Sequence, residues 1–207
     1  MGTDLVFYTN PMSRGRIARW MLEETGVAYE TKIVDFGNAM KAPDYLALNP
    51  MGKVPTIVNG NTVVSECAAI CAYLADAFPD AGLAPPMDQR GAYYRWLFFA
   101  AGPLEAATVN RAMGFDVPSE RERNVGYGNF SHVMDMLEHA VSDTSYIAGE
   151  VFSAADVYVG AQVAWGLQFE TIENRPAFAA YRDRVTSRRA FQRAAELDDL
   201  AMKQAGG

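Results

Sequence analysis

The sequence predicts an α/β domain followed by an all-helical one, and three observations carry that reading. Up to about residue 78, short β-branched and aromatic runs alternate with stretches whose apolar residues recur at helical spacing. Residues 78–87, FPDAGLAPPM, gather three prolines between two strongly patterned stretches, which marks a boundary. Beyond them the two-residue alternation disappears and helical spacing runs nearly to the end. The expected division is residues 1–80, a linker over 81–87 and a helical domain over 88–207. With 207 residues, 50% of them hydrophobic, the chain can bury two modest cores, which its length favours over a single one.

LVFYT (5–9) reads as the first strand. SRGRIARWMLEETG (13–26) follows as a helix, with Ser13 as candidate N-cap, Ile17, Met21 and Leu22 on one face, and Gly26 as its stop. AYETKIV (28–34) is the second strand, and an irregular stretch to Asn49 takes the place of the second helix. VPTIV (54–58) and TVV (62–64) flank Asn59-Gly60, a tight-turn dipeptide that makes these strands an antiparallel hairpin. ECAAICAYLADAF (66–78) is helical, with Ile70, Tyr73, Leu74, Ala77 and Phe78 on one apolar face. After the linker the helical pattern is broken at Gly114, Pro118, the Gly149 region and Pro176. Ser153-Ala-Ala-Asp156 has the chemistry of a capping box, the hydroxyl accepting from the Asp156 amide and the carboxylate from the Ser153 amide. Phe152 and Val157 stand where a hydrophobic staple would put them.

Charge and composition exclude several classes. A net charge of -7 repels phosphate backbones and anionic membranes, so neither nucleic acid nor a membrane is an expected partner. The apolar stretches Trp96 to Leu104 and Val157 to Leu167 are too short or too interrupted to cross about 30 Å of hydrocarbon. MGTDLVFYTNPM lacks the basic-then-apolar pattern of a signal peptide. The two cysteines, Cys67 and Cys71, lie one helical turn apart, which offers no disulfide framework and points to a reducing, cytoplasmic setting. His132 and His139 are not near a cysteine in sequence, so no metal site is expected. No GxSxG, GxGxxG or P-loop string occurs.

The informative region is the strand-to-helix junction YTNPMSRGRIARW. A serine at a helix start sits among free amides at the positive end of the helix dipole, where a negative charge such as a thiolate is favoured. Arg14, Arg16 and Arg19 add positive charge to the same turn and the next. Two readings fit that pattern: an anion site, or a simple cap beside a solvated arginine face. A second junction of the same kind, VVSECAAICAYLAD, follows GKVPTIV and brings Glu66 and Cys67 to the start of another helix. Two helix starts, an edge strand and no dithiol suggest a site for a small, anionic, peptide-like ligand.

In this order the pieces resemble the glutathione transferase family. The strings NPMGKVPT, SECAAI and FSAADVYVG, the linker and the helical second part fall at family spacing over nearly the whole chain. The resemblance implies a thioredoxin-like first domain, an all-helical second domain, glutathione as co-substrate and a homodimer. It assigns Val54-Pro55 to a cis bond whose preceding residue pairs with the cysteinyl part of glutathione. Glu66 and Cys67 fall where the γ-glutamyl end is held. Cys67 departs from the usual serine, and a thiol is the weaker donor to a carboxylate. Lys53 and Arg16 are candidates to add charge around the tripeptide. Ser13 falls where serine- and cysteine-type members contact the glutathione sulfur; Tyr8, at the end of the first strand, and Asn10 are the alternatives. The hydrophobic electrophile is expected between the domains, with Met12, Phe99, Met113, Phe115 and Trp165 as candidate lining residues. These aromatic and Met positions fit a packed core as well as a pocket.

Free cysteine thiol ionises near pH 8.5, and roughly two units of depression would make most bound glutathione nucleophilic at neutral pH. The expected function is conjugation of that thiolate to a hydrophobic electrophile, with peroxide reduction as a side activity. Ser13 forms no mixed disulfide, which argues against removal of glutathione from protein disulfides. The alternatives are a glutathione-binding stress or regulatory protein without chemistry, and a glutathione-dependent isomerase, dehalogenase or ether-cleaving enzyme on the same fold.

Overall fold

The computed structural model describes residues 4–205. Leu5–Thr9 forms strand β1, and Gly15–Thr25 forms helix α1, ended by Gly26 in the left-handed region at φ 68°. β2 (Glu30–Ile33) comes next, followed by a 3-10 turn (Ala39–Lys41) and the short α2 (Pro43–Leu48), which fills the stretch that reads as irregular. β3 (Thr56–Asn59) and β4 (Thr62–Ser65) make the hairpin around Asn59-Gly60, and α3 spans Cys67–Ala77. The four strands form one sheet in the order β2-β1-β3-β4. β1 runs parallel to β2 and antiparallel to β3, with Phe7 opposite Ile57 and Tyr8 opposite Thr56. β3 and β4 are antiparallel, as the turn dipeptide requires.

Alternation along β1 puts Leu5, Phe7 and Thr9 on the buried side. Phe7, Ile17, Met21, Leu22, Ile57, Ile70 and Leu74 are fully buried and make the core of this unit. A smaller cluster of Val34, Met40 and Tyr45 has Tyr8, Leu48 and Val54 packed against it.

The remaining elements are helical. α4 (Gly91–Phe99) passes through a π turn at Ala100–Leu104, which contains Pro103, into α5 (Glu105–Ala112). α6 (Phe130–Asp143), α7 (Ala154–Gln168), α8 (Pro176–Thr186) and α9 (Arg189–Ala205) follow. Pro176 starts α8, where a missing amide costs nothing. The capping box at Ser153 and Asp156 is formed in both directions. The Asp156 carboxylate also accepts from the Ile147 amide at 2.7 Å and the Tyr181 hydroxyl at 2.9 Å. Burial pushes this carboxyl above its usual value, and the Ile147 amide, the Ser153 amide and hydroxyl and the Tyr181 hydroxyl pull it back.

The chain groups into two compact units, one running to Leu83 and resuming at Arg188, the other Ala84–Ser187. The helical run expected over 88–207 therefore divides, because α9 packs with the first unit. The Trp20 and Phe191 rings meet edge to face at 4.9 Å, and Arg19 and Asp198 pair at 2.7 Å with both side chains buried. Among the described residues, no helix is long and apolar enough to cross a membrane.

Candidate functional site

The loop between β1 and α1 is built on Asn10. Its side chain is buried, Nδ2 donating to the Val34 carbonyl at 3.1 Å and Oδ1 accepting from the Met12 amide at 3.0 Å. Its carbonyl accepts from the Ser13 amide at 3.0 Å and the Ser13 hydroxyl at 2.7 Å. Ser13 Oγ in turn accepts from the Gly15 amide at 2.9 Å. Ser13 thus shapes the turn just ahead of α1, and the helix starts one residue later than the cap reading expects, with Arg14 at the cap position.

The three arginines do not form a free positive face. Arg16 donates from Nε to the Pro11 carbonyl at 2.6 Å and from Nη2 to Asp199 at 2.7 Å. Arg19 holds the buried Asp198 and donates to Tyr29 and Thr31. Two of the three are therefore matched by the consecutive acids Asp198 and Asp199 of α9. Arg16, expected beside a ligand, is engaged in bracing the loop. Tyr8 lies on the opposite side of β1 from Thr9, its ring 5.9 Å from that of Tyr45 with Lys32 Nζ 5.5 Å from its centre.

At the second junction the Val54-Pro55 bond is cis, as the resemblance implies, and the two residues stand just outside β3. Among the described residues, neither the amide nor the carbonyl of Val54 bonds to another backbone group. The loop before it is held from below by residues that the sequence did not single out. The Lys53 carbonyl accepts from the Tyr45 hydroxyl at 2.7 Å and from Asn49 Nδ2 at 2.8 Å. Lys41 Nζ donates to the carbonyls of Met51 and Gly52. Gly52, at φ 58°, admits no Cβ, which would meet the Met40 carbonyl at 2.6 Å. Asn49 and Gly52 belong to the NPMGKVPT string, whereas nothing in the spacing marks Tyr45 or Lys41. The Lys53 side chain is exposed.

Glu66 precedes α3 with φ 69° and ψ 121°, a conformation that non-glycine residues adopt at a cost and that clusters at binding sites. Its side chain is exposed. Cys67, first residue of α3, is buried, and its thiol points at the Arg14 carbonyl at 3.5 Å, tying the start of α3 to the start of α1. That thiol is turned into the protein, and the side chain exposed at this junction is that of Glu66. Cys71 is fully buried, and burial pushes its thiol well above the ordinary value.

Met12 is exposed in the first unit. In the second, Met113 and Phe115 are exposed at 64% and 61%, well outside a packed core. Phe99 is half-buried against the Trp96 ring, and Trp165 is half-buried on α7. Among the described residues, no group of three His, Cys, Asp or Glu side chains could hold a metal ion. His132 follows the Asn129 cap of α6, and His139 is exposed beside Asp143.

Comparison with other proteins shows likenesses of sequence and fold. Residues 12–77 match the sequence model of the family described as "Glutathione S-transferase, N-terminal domain". "Glutathione S-transferase F10" of Arabidopsis thaliana is 29% identical over 207 residues, covering 91% of this chain and 94% of that protein. A glutathione transferase structure from Methylococcus capsulatus str. bath superposes with a TM-score of 0.78 at 26% identity, covering 95% of this chain and 99% of that one. A sphingomonad glutathione S-transferase complexed with glutathione superposes with a TM-score of 0.75 at 26% identity, covering 94% and 99%. Residues 12–77 are thus a glutathione S-transferase N-terminal domain, and the chain as a whole is similar in sequence and fold to glutathione S-transferases.

Proposed function

We propose that the protein is a glutathione transferase that ionises the glutathione thiol beside Ser13 and conjugates it to a hydrophobic electrophile. The observation that carries this reading is the unpaired amide and carbonyl of Val54, an open rung for an extended peptide. The helix starts holding Ser13 and Glu66-Cys67 flank it in the sequence order the resemblance requires. The cysteinyl backbone of glutathione pairs with Val54, and the γ-glutamyl carboxylate takes the first-turn amides of α3, where the helix dipole favours an anion. The γ-glutamyl ammonium pairs with Glu66, and Lys53 adds charge at the rim.

Ser13 turns its proton from the Asn10 carbonyl to the sulfur. The thiol proton goes to water, and Ser13 keeps its own. The thiolate then forms the carbon–sulfur bond as the leaving group departs or the electrophile's double bond takes the electron pair. Met12, Phe99, Met113, Phe115 and Trp165 are the proposed apolar contacts for the electrophile. Tyr8, packed on Tyr45, and Asn10, holding the loop, remain the alternatives to Ser13. Peroxide reduction uses the same thiolate. We propose a cytoplasmic homodimer as the working form.

A second reading, glutathione binding without chemistry, is favoured by one observation: the Ser13 proton is already spent on the Asn10 carbonyl at 2.7 Å. Isomerase, dehalogenase or ether-cleaving chemistry would use the same thiolate on another electrophile. The thiolate absorbance of glutathione, titrated against pH with stoichiometric protein, separates the first two readings. Ionisation well below pH 8.5, raised again in Ser13→Ala, supports the transferase. Binding with an unshifted thiol overturns it in favour of the non-catalytic protein.

A further inference from the structure

β1 ends in a hydroxyl that the fold leaves unused. Thr9 is fully buried, its carbonyl accepts from the Val34 amide at 2.8 Å, and its Oγ1 has no hydrogen-bond partner among the described residues. A buried hydroxyl without a partner is destabilising and rare in native proteins, so its retention asks for a reason. Its surroundings supply one. The alternation of β1 turns Thr9 away from Tyr8 and towards the start of α1. There Thr9 Oγ1 and Ser13 Oγ crowd the same point: a Cβ on Gly15 would overlap the first and stand 3.0 Å from the second.

Ser13 Oγ spends its proton on the Asn10 carbonyl and one acceptor position on the Gly15 amide. A hydroxyl has one donor and two acceptor positions, so one acceptor position is left. When the Ser13 proton turns to an anionic sulfur, a donor into that position polarises the hydroxyl and strengthens its bond to the anion. The Asn10 carbonyl keeps the Ser13 amide at 3.0 Å and is not orphaned by the change.

We propose that Thr9 is a positioning residue for thiol activation, its hydroxyl donating to Ser13 Oγ when Ser13 donates to the glutathione thiolate. This rests on the transferase reading above. The sulfur–hydrogen bond of glutathione breaks and its proton goes to water; Thr9 and Ser13 only redirect protons they keep, and nothing is oxidised or reduced. The bond missing from the resting loop is made in the ionised complex, so it favours that state over the ground state.

Thr9→Val keeps the shape and removes the hydroxyl, Thr9→Ala removes it with less bulk, and Thr9→Ser keeps it. The experiment titrates the ultraviolet thiolate absorbance of bound glutathione in wild type, these three variants and Ser13→Ala, with urea stability measured alongside. We expect the ionisation constant of bound glutathione to fall roughly threefold to tenfold in Thr9→Val and Thr9→Ala. Thr9→Ser should stay near wild type, and Thr9→Val should be no less stable than wild type. A purely structural Thr9 moves stability and leaves the bound thiol alone. That result, with Ser13→Ala still raising the thiol pKa, overturns the role of Thr9 and leaves the transferase reading standing. A wild-type complex in which glutathione titrates as it does in free solution overturns both.

Discussion

Gly15 stands where the loop between β1 and α1 leaves no room for a side chain. A Cβ there would overlap Thr9 Oγ1 and press on Ser13 Oγ, in a loop where Thr9 is fully buried and Ser13 is hydrogen-bonded to Asn10 and Gly15. Gly15→Ala should cost about 1–3 kcal/mol of stability by overpacking, read as a lower urea midpoint, and should lower thiol ionisation with it. Glu66 stores strain of the opposite kind. Glu66→Gly relieves a positive φ and should stabilise the fold by about 1 kcal/mol, while glutathione affinity, measured by calorimetry, falls because the carboxylate is gone. Ser13, Val54 and Glu66 were legible as candidates because each sits in a string whose local chemistry is self-explanatory. The partners of Arg16 and Arg19 were not, since no spacing rule connects residues 16 and 19 with 199 and 198.

At the level of elements, α1 and α9 are joined by a buried ion pair, and its energetics are lopsided. Removing one partner strands the other in a low dielectric, so Asp198→Ala should destabilise by about 3–5 kcal/mol, measured by urea unfolding. Burial holds the Asp198 carboxyl above its usual value, against the pull of Arg19 and Arg16. The folded chain binds that proton more tightly than the unfolded one. Its contribution to stability is therefore full below about pH 4 and declines as pH rises through the raised value. Urea midpoints taken from about pH 4 to about pH 6.5 should fall less steeply in Asp198→Asn than in wild type. The strands and α3 were readable because period-two alternation, Asn59-Gly60 and a continuous apolar face each have one structural solution. α2 was not, being six residues long with too little periodicity to register.

For the whole molecule, the grouping of α9 with the first unit means that a chain ending at Leu83 lacks the cover for Trp20 and the partner of Arg19. That fragment should show no cooperative unfolding by circular dichroism, whereas the full chain should. The division between Leu83 and Ala84 lies within the proline-bearing stretch 78–87. The return of the last helix was not, because an amphipathic helix shows that it has a buried face without showing what covers it. Light scattering near twice 22.7 kDa is the expected result if the proposed homodimer forms, and a species near 22.7 kDa alone would remove it.

The two-part first unit also sets an order of assembly during synthesis. The ribosome delivers the sheet first, but the residues that close over Trp20 and neutralise Arg19 come after the whole of Ala84–Ser187. The helical unit is complete in sequence as soon as Ser187 has emerged, whereas the sheet waits with an apolar flank uncovered until α9 is out. Nascent chains halted just after Ser187 are therefore those in which the sheet-bearing unit is most open to chaperones and proteases.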